Sequence, residues 1–281
     1  MAVEERIYKS TSSYSLITIL KECLLGYRQS FYLARQLAIR DVNAQYRQSV
    51  LGIFWAIAPV VLNAAIWIFL NGTGTVQLPA TKVPYPLFVV IGTTIWSVFV
   101  DCLLLSISSV NANKSIITKI NFQKEALVTL GILKLFFNLL IKLGLVAALM
   151  IYYQVGLSLS FLAFVPLLGV IMMAFISIGI LLTPIGVLYT DISRIIPIFM
   201  QILMYLSPVV YNEPKVGLMK TIMQWNPLTY LMTDIRNSLT GFGIENGPFI
   251  LVFAAITIVV ALFSMIVYRI AMPIITERMS A

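Results

Sequence analysis

Histidine is absent from the 281 residues, and charged side chains make up only 11% of them. The missing imidazole removes the commonest general base and a common metal ligand. No Gly-x-x-x-x-Gly-Lys-Ser/Thr loop occurs, so the chain carries no P-loop for ATP. The two cysteines, Cys23 and Cys102, lie far apart in sequence, which excludes a disulfide framework and a Cys-based zinc site. Carboxylates are sparse, and no close acidic pair suited to glycosyl transfer or hydrolysis falls on the predicted outer face. A soluble domain carries about 25% charged and about 45–50% apolar residues. Here 60% are hydrophobic and the mean hydropathy is +0.95, so lipid is the main solvent and long extramembrane domains are excluded.

At about 20 apolar residues per crossing, six spans are predicted. They cover 50–70, interrupted by Pro59 and Asn63; 87–110, carrying Asp101; 126–153, carrying Lys134, Asn138 and Lys142; 159–188; 195–211, ending at Ser207-Pro208; and 249–271. The third is too long to lie wholly in hydrocarbon. The expected fold is an all-α integral membrane protein: a cytoplasmic N-terminal segment over 1–49, a six-span transmembrane domain over 50–272 and a cytoplasmic tail over 273–281.

Charge distribution orients it. Glu4, Glu5, Arg6 and Lys9 stand where the apolar core of a signal peptide would begin, so the N-terminus is expected to stay in the cytoplasm. The same side collects Arg6, Lys9, Lys21, Arg28, Arg35, Arg40, Arg47, Lys114, Lys119, Lys124, Arg194 and Arg278; the other collects Lys82, Lys215, Lys220 and Arg236. Twelve against four places both termini in the cytoplasm. The net charge of +8 is then topological, and no nucleic acid is implied.

Two stretches are more than loops. Residues 13–41 place Phe31, Ala34 and Ala38 at helical spacing, with Arg28 and Arg35 seven apart on another face, which predicts an amphipathic helix in the cytoplasmic interface. A solvated surface helix is the alternative. Residues 212–247 alternate apolar clusters (216–225 and 228–239) with Asn226-Pro227 and a run of glycines. Two short helices that dip back into the membrane fit this pattern, provided their free backbone groups face protein or water.

Ionisable groups inside spans are costly, and Asp101, Lys134 and Lys142 are functional candidates on that ground. Lys134, Asn138 and Lys142 recur four apart on one helical face. They either line a polar path or supply a lysine to pair with Asp101; alternatively Lys134 snorkels to the cytoplasmic surface. Aromatics gather on the outer half: Trp67, Tyr85, Trp96, Tyr152, Tyr153, Tyr205, Tyr211, Trp225 and Tyr230. An interfacial belt explains such a distribution. So does a lane along which the C–H faces of sugars stack.

Taken in order, the pieces resemble the permease subunits of type-2 ABC exporters for cell-surface polysaccharide, the O-antigen, teichoic-acid and capsule exporters. The resemblance covers nearly the whole chain. It rests on Arg40-Asp41-Val42-Asn43-Ala44-Gln45-Tyr46-Arg47-Gln48-Ser49-Val50-Leu51-Gly52 with Phe54-Trp55 and Pro59, on Ser207-Pro208-Val209-Val210-Tyr211, and on Asn226-Pro227-Leu228-Thr229-Tyr230 with Arg236. One departure stands before the third span, where the family often has Phe-Pro-Lys-Glu and this chain has Phe122-Gln123-Lys124-Glu125.

The resemblance implies a homodimer in the cell inner membrane, served by two copies of a cytoplasmic ABC ATPase that bind ATP and Mg; no cofactor is expected in this chain. It assigns ATPase coupling to Arg40, Asp41, Arg47, Lys114, Lys119, Phe122, Lys124 and Glu125. It assigns the channel and its gate to Trp96, Tyr205, Pro208, Tyr211, Trp225, Asn226, Pro227, Tyr230 and Arg236. The expected cargo is a lipid-linked polysaccharide moved outward, with Arg40, Arg47 and Lys142 as attractors of its phosphate. The chain itself is expected to hold no catalytic residue. The alternatives are a permease of the same fold for a drug or small lipid, a membrane enzyme acting on a lipid-linked sugar, and a membrane scaffold.

Overall fold

The computed structural model describes residues 16–47, 49–76, 79–117, 119–120, 122–156, 158–214 and 216–280. Ten helices and no strand occur among them. The order is α1 (Leu16–Arg47), α2 (Phe54–Gly72), α3 (Tyr85–Ala112), α4 (Lys114–Ile117), α5 (Glu125–Tyr152), α6 (Phe161–Leu188), α7 (Thr190–Tyr205), α8 (Leu218–Trp225), α9 (Pro227–Thr240) and α10 (Gly247–Ser280).

Five of these, α2, α3, α5, α6 and α10, are long and apolar enough to cross a membrane. Their backbone groups pair within each helix, which hydrocarbon demands. The helix at the expected fifth span differs. α7 has 16 residues and stops at Tyr205, about 24 Å at 1.5 Å per residue, because Ser207-Pro208 cannot continue it. α10 departs the other way: it runs through Pro273 to Ser280, with no break at 272.

Local sequence explains the boundaries. Pro84 precedes α3 and Pro86 sits in its first turn, where a missing N–H costs nothing. Asn226 caps α9 by accepting from Leu228 N at 3.0 Å, Pro227 opens the helix, and Gly241 closes it in the left-handed conformation at φ 92°.

α3 is the hub. Its apolar window is 78% buried, against 17% for α2 and 11% for α10, and α2, α5, α6, α7 and α9 all pack on it. Two glycines permit that density. A Cβ on Gly179 of α6 would lie 2.5 Å from the Leu103 carbonyl oxygen, and one on Gly92 of α3 would lie 2.0 Å from that of Val209. Both obstacles are backbone and cannot swing aside.

α1 extends six residues past the expected end at Asp41 and packs on α5 and α10; residues 13–15 lie outside the described chain. Its packed stripe is Cys23, Gly26, Ser30, Ala34, Leu37 and Ala38, while Arg28 and Arg35 are exposed. Phe31, at helical spacing from Ala34 and Ala38, is half exposed, whereas Ala34 and Ala38 are buried in a cluster with Ala126 and Leu130 of α5.

Polar residues separate into two layers. One end of the bundle joins Glu22, Arg40, Asp41, Asn113, Glu125 and Arg269. The other joins Lys82, Asp234, Asn237, Glu245 and Asn246. The main apolar cluster of α3, α5, α6, α7 and α9 lies between them. The side chains of Lys21, Arg28, Arg35, Arg40, Arg47, Lys114, Lys119, Lys124, Arg194, Lys82, Lys220 and Arg236 are described; Arg6, Lys9 and Lys215 lie outside the described residues, as does the side chain of Arg278.

The glycine contact gives a direct test. Gly179→Ala should lower the apparent melting temperature of the purified protein, at an overpacking cost of roughly 1–3 kcal/mol. Gly169→Ala on the same helix, where nothing lies within 4 Å, should leave it unchanged or raise it. Equal shifts would refute the close approach of α3 and α6.

Candidate functional site

The residues singled out in the sequence fall into three groups along the bundle axis. At the α1 end, the Glu125 carboxyl, only 4% exposed, opens α5 and pairs with Arg269 of α10, which also reaches Glu22 of α1 at 3.1 Å. A carboxylate in a helix's first turn is favoured by the N-terminal dipole. Gly26 lies against it, and a Cβ there would sit 3.1 Å from Glu125 Cδ. The Tyr268 hydroxyl donates to the Lys124 carbonyl at 3.1 Å. Lys124 stands 4.9 Å from the centre of the Phe122 ring, and burial lowers its pKa. Gln123 keeps the turn that a proline would stiffen: Ala126 N and Leu127 N donate to the carbonyls of Gln123 and Lys124 at 3.0 and 3.1 Å.

Farther along α1, Arg40 binds the Asp41 carboxylate at 2.6 Å and donates to Asn113 Oδ1 at 2.6 Å. Lys134 of α5 stands 3.6 Å from Asp41 Oδ2, so its charge is met by α1. Tyr46 donates to Asn138 at 3.2 Å. Arg47 and Lys119 are exposed. Lys114 has an interaction of its own at the start of α4.

The second group lies within the apolar layer. Lys142 Nζ meets Asp101 Oδ2 at 2.5 Å, with Lys142 side-chain exposure at 7% and Asp101 at 38%. Lysine side chains lean toward their helix N-terminus, which brings Lys142 back along α5 to the level of Asp101. Both border a cavity of about 370 Å³ between α2, α3, α5, α7 and the end of α1. Trp96 also borders it, anchored by its indole N–H to the Met200 carbonyl at 3.2 Å.

The third group ties the two proline motifs together. Asn226 Nδ2 donates to Leu206 O at 3.0 Å and Ser207 Oγ at 2.9 Å, so one amide caps α9 and pins the end of α7. Arg236, buried to 5%, lies 3.7 Å over the Phe88 ring and donates to Val209 O at 2.7 Å. Pro208, Val209 and Val210 are buried beside it. The Tyr211 hydroxyl donates to the Tyr205 carbonyl, and that of Tyr230 to Gln224 O at 2.7 Å. Trp225 is 85% exposed and borders an apolar recess of about 400 Å³ with Leu203, Leu206 and Ile222. The predicted outer aromatics fall into separate contacts: Trp67 with Tyr205, Tyr85 with Phe88, Trp96 with Phe99, Tyr152 with Tyr153, and Tyr230 with Phe249.

Sequence reasoning missed Arg269 and Glu22. The signal for Arg269 was present, since it was the one basic residue assigned to neither face nor to a span interior. Glu22 had none, because its partner lies 247 residues away. Gln201, an isolated amide in α7, was also passed over and borders the same cavity as Asp101.

The profile of the ABC-2 type transporter family matches residues 32–240. Curated relatives include two proteins of Klebsiella pneumoniae, each named O-antigen export system permease protein RfbA, 25% and 24% identical over 255 residues. Those alignments cover 88% of this chain and 96% of each relative. A Myxococcus xanthus protein of the same name is 23% identical over 230 residues, covering 79% of this chain and 86% of that protein.

If Arg269 clasps α1 to the bundle, Arg269→Gln should expose Cys23, which is buried with its thiol pKa raised by that burial. In a Cys102→Ser background, maleimide labelling of Cys23 should speed up at least about tenfold. An unchanged rate would remove the clasp.

Proposed function

The chain belongs to the ABC-2 type transporter family, and from that premise we propose that it is the membrane permease of an ATP-driven exporter of lipid-linked polysaccharide. The observation that carries this reading is the end-to-end alignment with relatives named O-antigen export permease, over 96% of their length. In this reading ATP and Mg are bound by a separate ATPase chain, two copies of which serve a homodimer of this one in the inner membrane; the lack of a P-loop in the sequence is consistent with that division.

In this reading the layer holding Glu125 and Arg269 faces the cytoplasm, and α7 with the 206–214 segment makes the sixth crossing. Six crossings leave both termini on the cytoplasmic side, which the basic residues of α1 and 111–125 favour. α8 and α9 are then the outer re-entrant pair, pinned to α7 by Asn226 and Arg236. The exposed Lys119, with Lys114, Phe122 and Lys124, forms a contact region for the ATPase. Its movement reaches α1 and α10 through the Glu125–Arg269–Glu22 cluster. Lys142 is neutralised by Asp101 and Arg40 is paired with Asp41, which leaves attraction of the lipid phosphate chiefly to the exposed Arg47 at the rim.

Co-expression with candidate ABC ATPases of the same genome, in cells lacking their own exporter, tests this reading. Glycan should reach the cell surface only when both chains are present, and Lys119→Glu should weaken the purified complex several-fold. Glycan that stays inside, or an ATPase that does not associate, would overturn the assignment.

A further inference from the structure

Hydrocarbon-spanning helices dispose of most of their polar side chains locally. Ser177 and Thr183 of α6, and Thr257 and Ser264 of α10, each donate to a carbonyl of their own helix. The amide and ionisable groups behave differently, except Gln201, which donates to the Tyr205 hydroxyl of its own helix at 2.9 Å. Asn63 is the one such group in the interior of α2, Asp101 is the ionisable residue of α3, and Gln201 is the amide of α7; with Asn138 and Lys142 of α5, all five border one cavity of about 370 Å³. Four helices thus place these costly residues around a single space, whose volume falls in the range of about 300–1,000 Å³ found for small-ligand sites.

The chemistry of the wall narrows the occupant. Lys142 is committed to Asp101 Oδ2 at 2.5 Å, so the pair adds no net charge and an anionic phosphate gains no attraction there. Asp101 Oδ1 is left as an acceptor. Asn63 Oδ1 is a buried acceptor with no hydrogen-bond partner, an arrangement that costs free energy until a donor arrives. An acyl chain supplies no donor. Trp55, Trp96 and Pro59 add apolar surface to the same wall. A carboxylate and amides at fixed spacing beside indole rings suit a ring that carries both hydroxyl groups and C–H faces.

We propose that this intramembrane cavity binds one neutral sugar ring of the passing glycan, with Asn63 and Asp101 accepting its hydroxyls and Lys142 serving to hold Asp101 in place. The proposal rests on the export reading and specifies a subsite within it.

The test uses the permease–ATPase complex in lipid nanodiscs prepared without glycoside detergent. Saturation-transfer difference NMR would be recorded with the methyl pyranosides of glucose, galactose and mannose as probes, and with inorganic phosphate as competitor. At least one pyranoside should give a signal that phosphate does not displace. The signal should fall at least about five-fold in Asn63→Leu, and likewise in Asp101→Asn combined with Lys142→Met, which removes the ion pair without stranding a charge. Each variant is checked first for an unchanged size-exclusion profile. Absence of signal from all three pyranosides, displacement by phosphate, or full signal in the variants would overturn the subsite. Export by the wild-type chain, measured in cells alongside, separates the two conclusions: export without cavity binding removes the subsite alone, whereas a chain that exports no glycan removes the export reading and the subsite with it.

Discussion

Hydrocarbon offers a charge no partner, so an ionisable side chain in an apolar helix must find one on a neighbouring helix. Among the described residues α5 meets such a partner three times, once within the apolar layer and twice in the polar layer at the α1 end, and each time the partner lies on a different helix. Asp101 of α3 takes Lys142 of α5; Asp41 of α1 takes Lys134 of α5; Glu125 of α5 takes Arg269 of α10, which also holds Glu22 of α1. α5 enters every pair. Its register against α1, α3 and α10 is therefore set by charge as well as by packing, in a layer where apolar contacts alone discriminate weakly between neighbours.

The remaining architecture follows from that register and from close approach. Gly179 brings α6 onto α3, and Gly92 brings the Val209 carbonyl against α3, where Arg236 clasps it from α9. Asn63, Asp101, Asn138, Lys142 and Gln201 gather around one cavity between α2, α3, α5 and α7. Under the export reading these features form a chain of fixed points: a tied cluster where the ATPase acts, an ion pair at mid-depth, and the Asn226 and Arg236 clasps at the outer end. A helix moved at one end carries its partners with it because each fixed point joins two or more helices.

What the sequence made legible depended on how local the signal was. The spans that became α3, α5 and α6 were placed within two residues because uninterrupted apolar runs bounded by proline, glycine or polar residues mark them. α7 was drawn to Tyr211 because its apolar character outlasts its helix: the buried Val209 and Val210 are apolar without being helical. The sixth span was drawn to 271, yet the helix continues through Pro273 to Ser280. A lysine partner for Asp101 was legible from ionisable residues in adjacent spans, and Lys134 and Lys142, eight apart on one helical face, were both on offer. Which lysine pairs with which acid depends on how α1 lies along α5, and no local pattern encodes that. Glu22 and Arg269 were invisible as a pair for the same reason.

The central claim, that charges paired across helices set the arrangement, is tested most directly by exchanging one pair. Asp101→Lys and Lys142→Asp, each alone, strand like charges in the apolar layer and should cost roughly 3–5 kcal/mol, visible as loss of most of the folded protein from the membrane by size-exclusion analysis. Combined, they restore an ion pair with reversed polarity, and the account predicts recovery of folded protein well above either single variant. A double variant no better than the sum of the two single losses would contradict it.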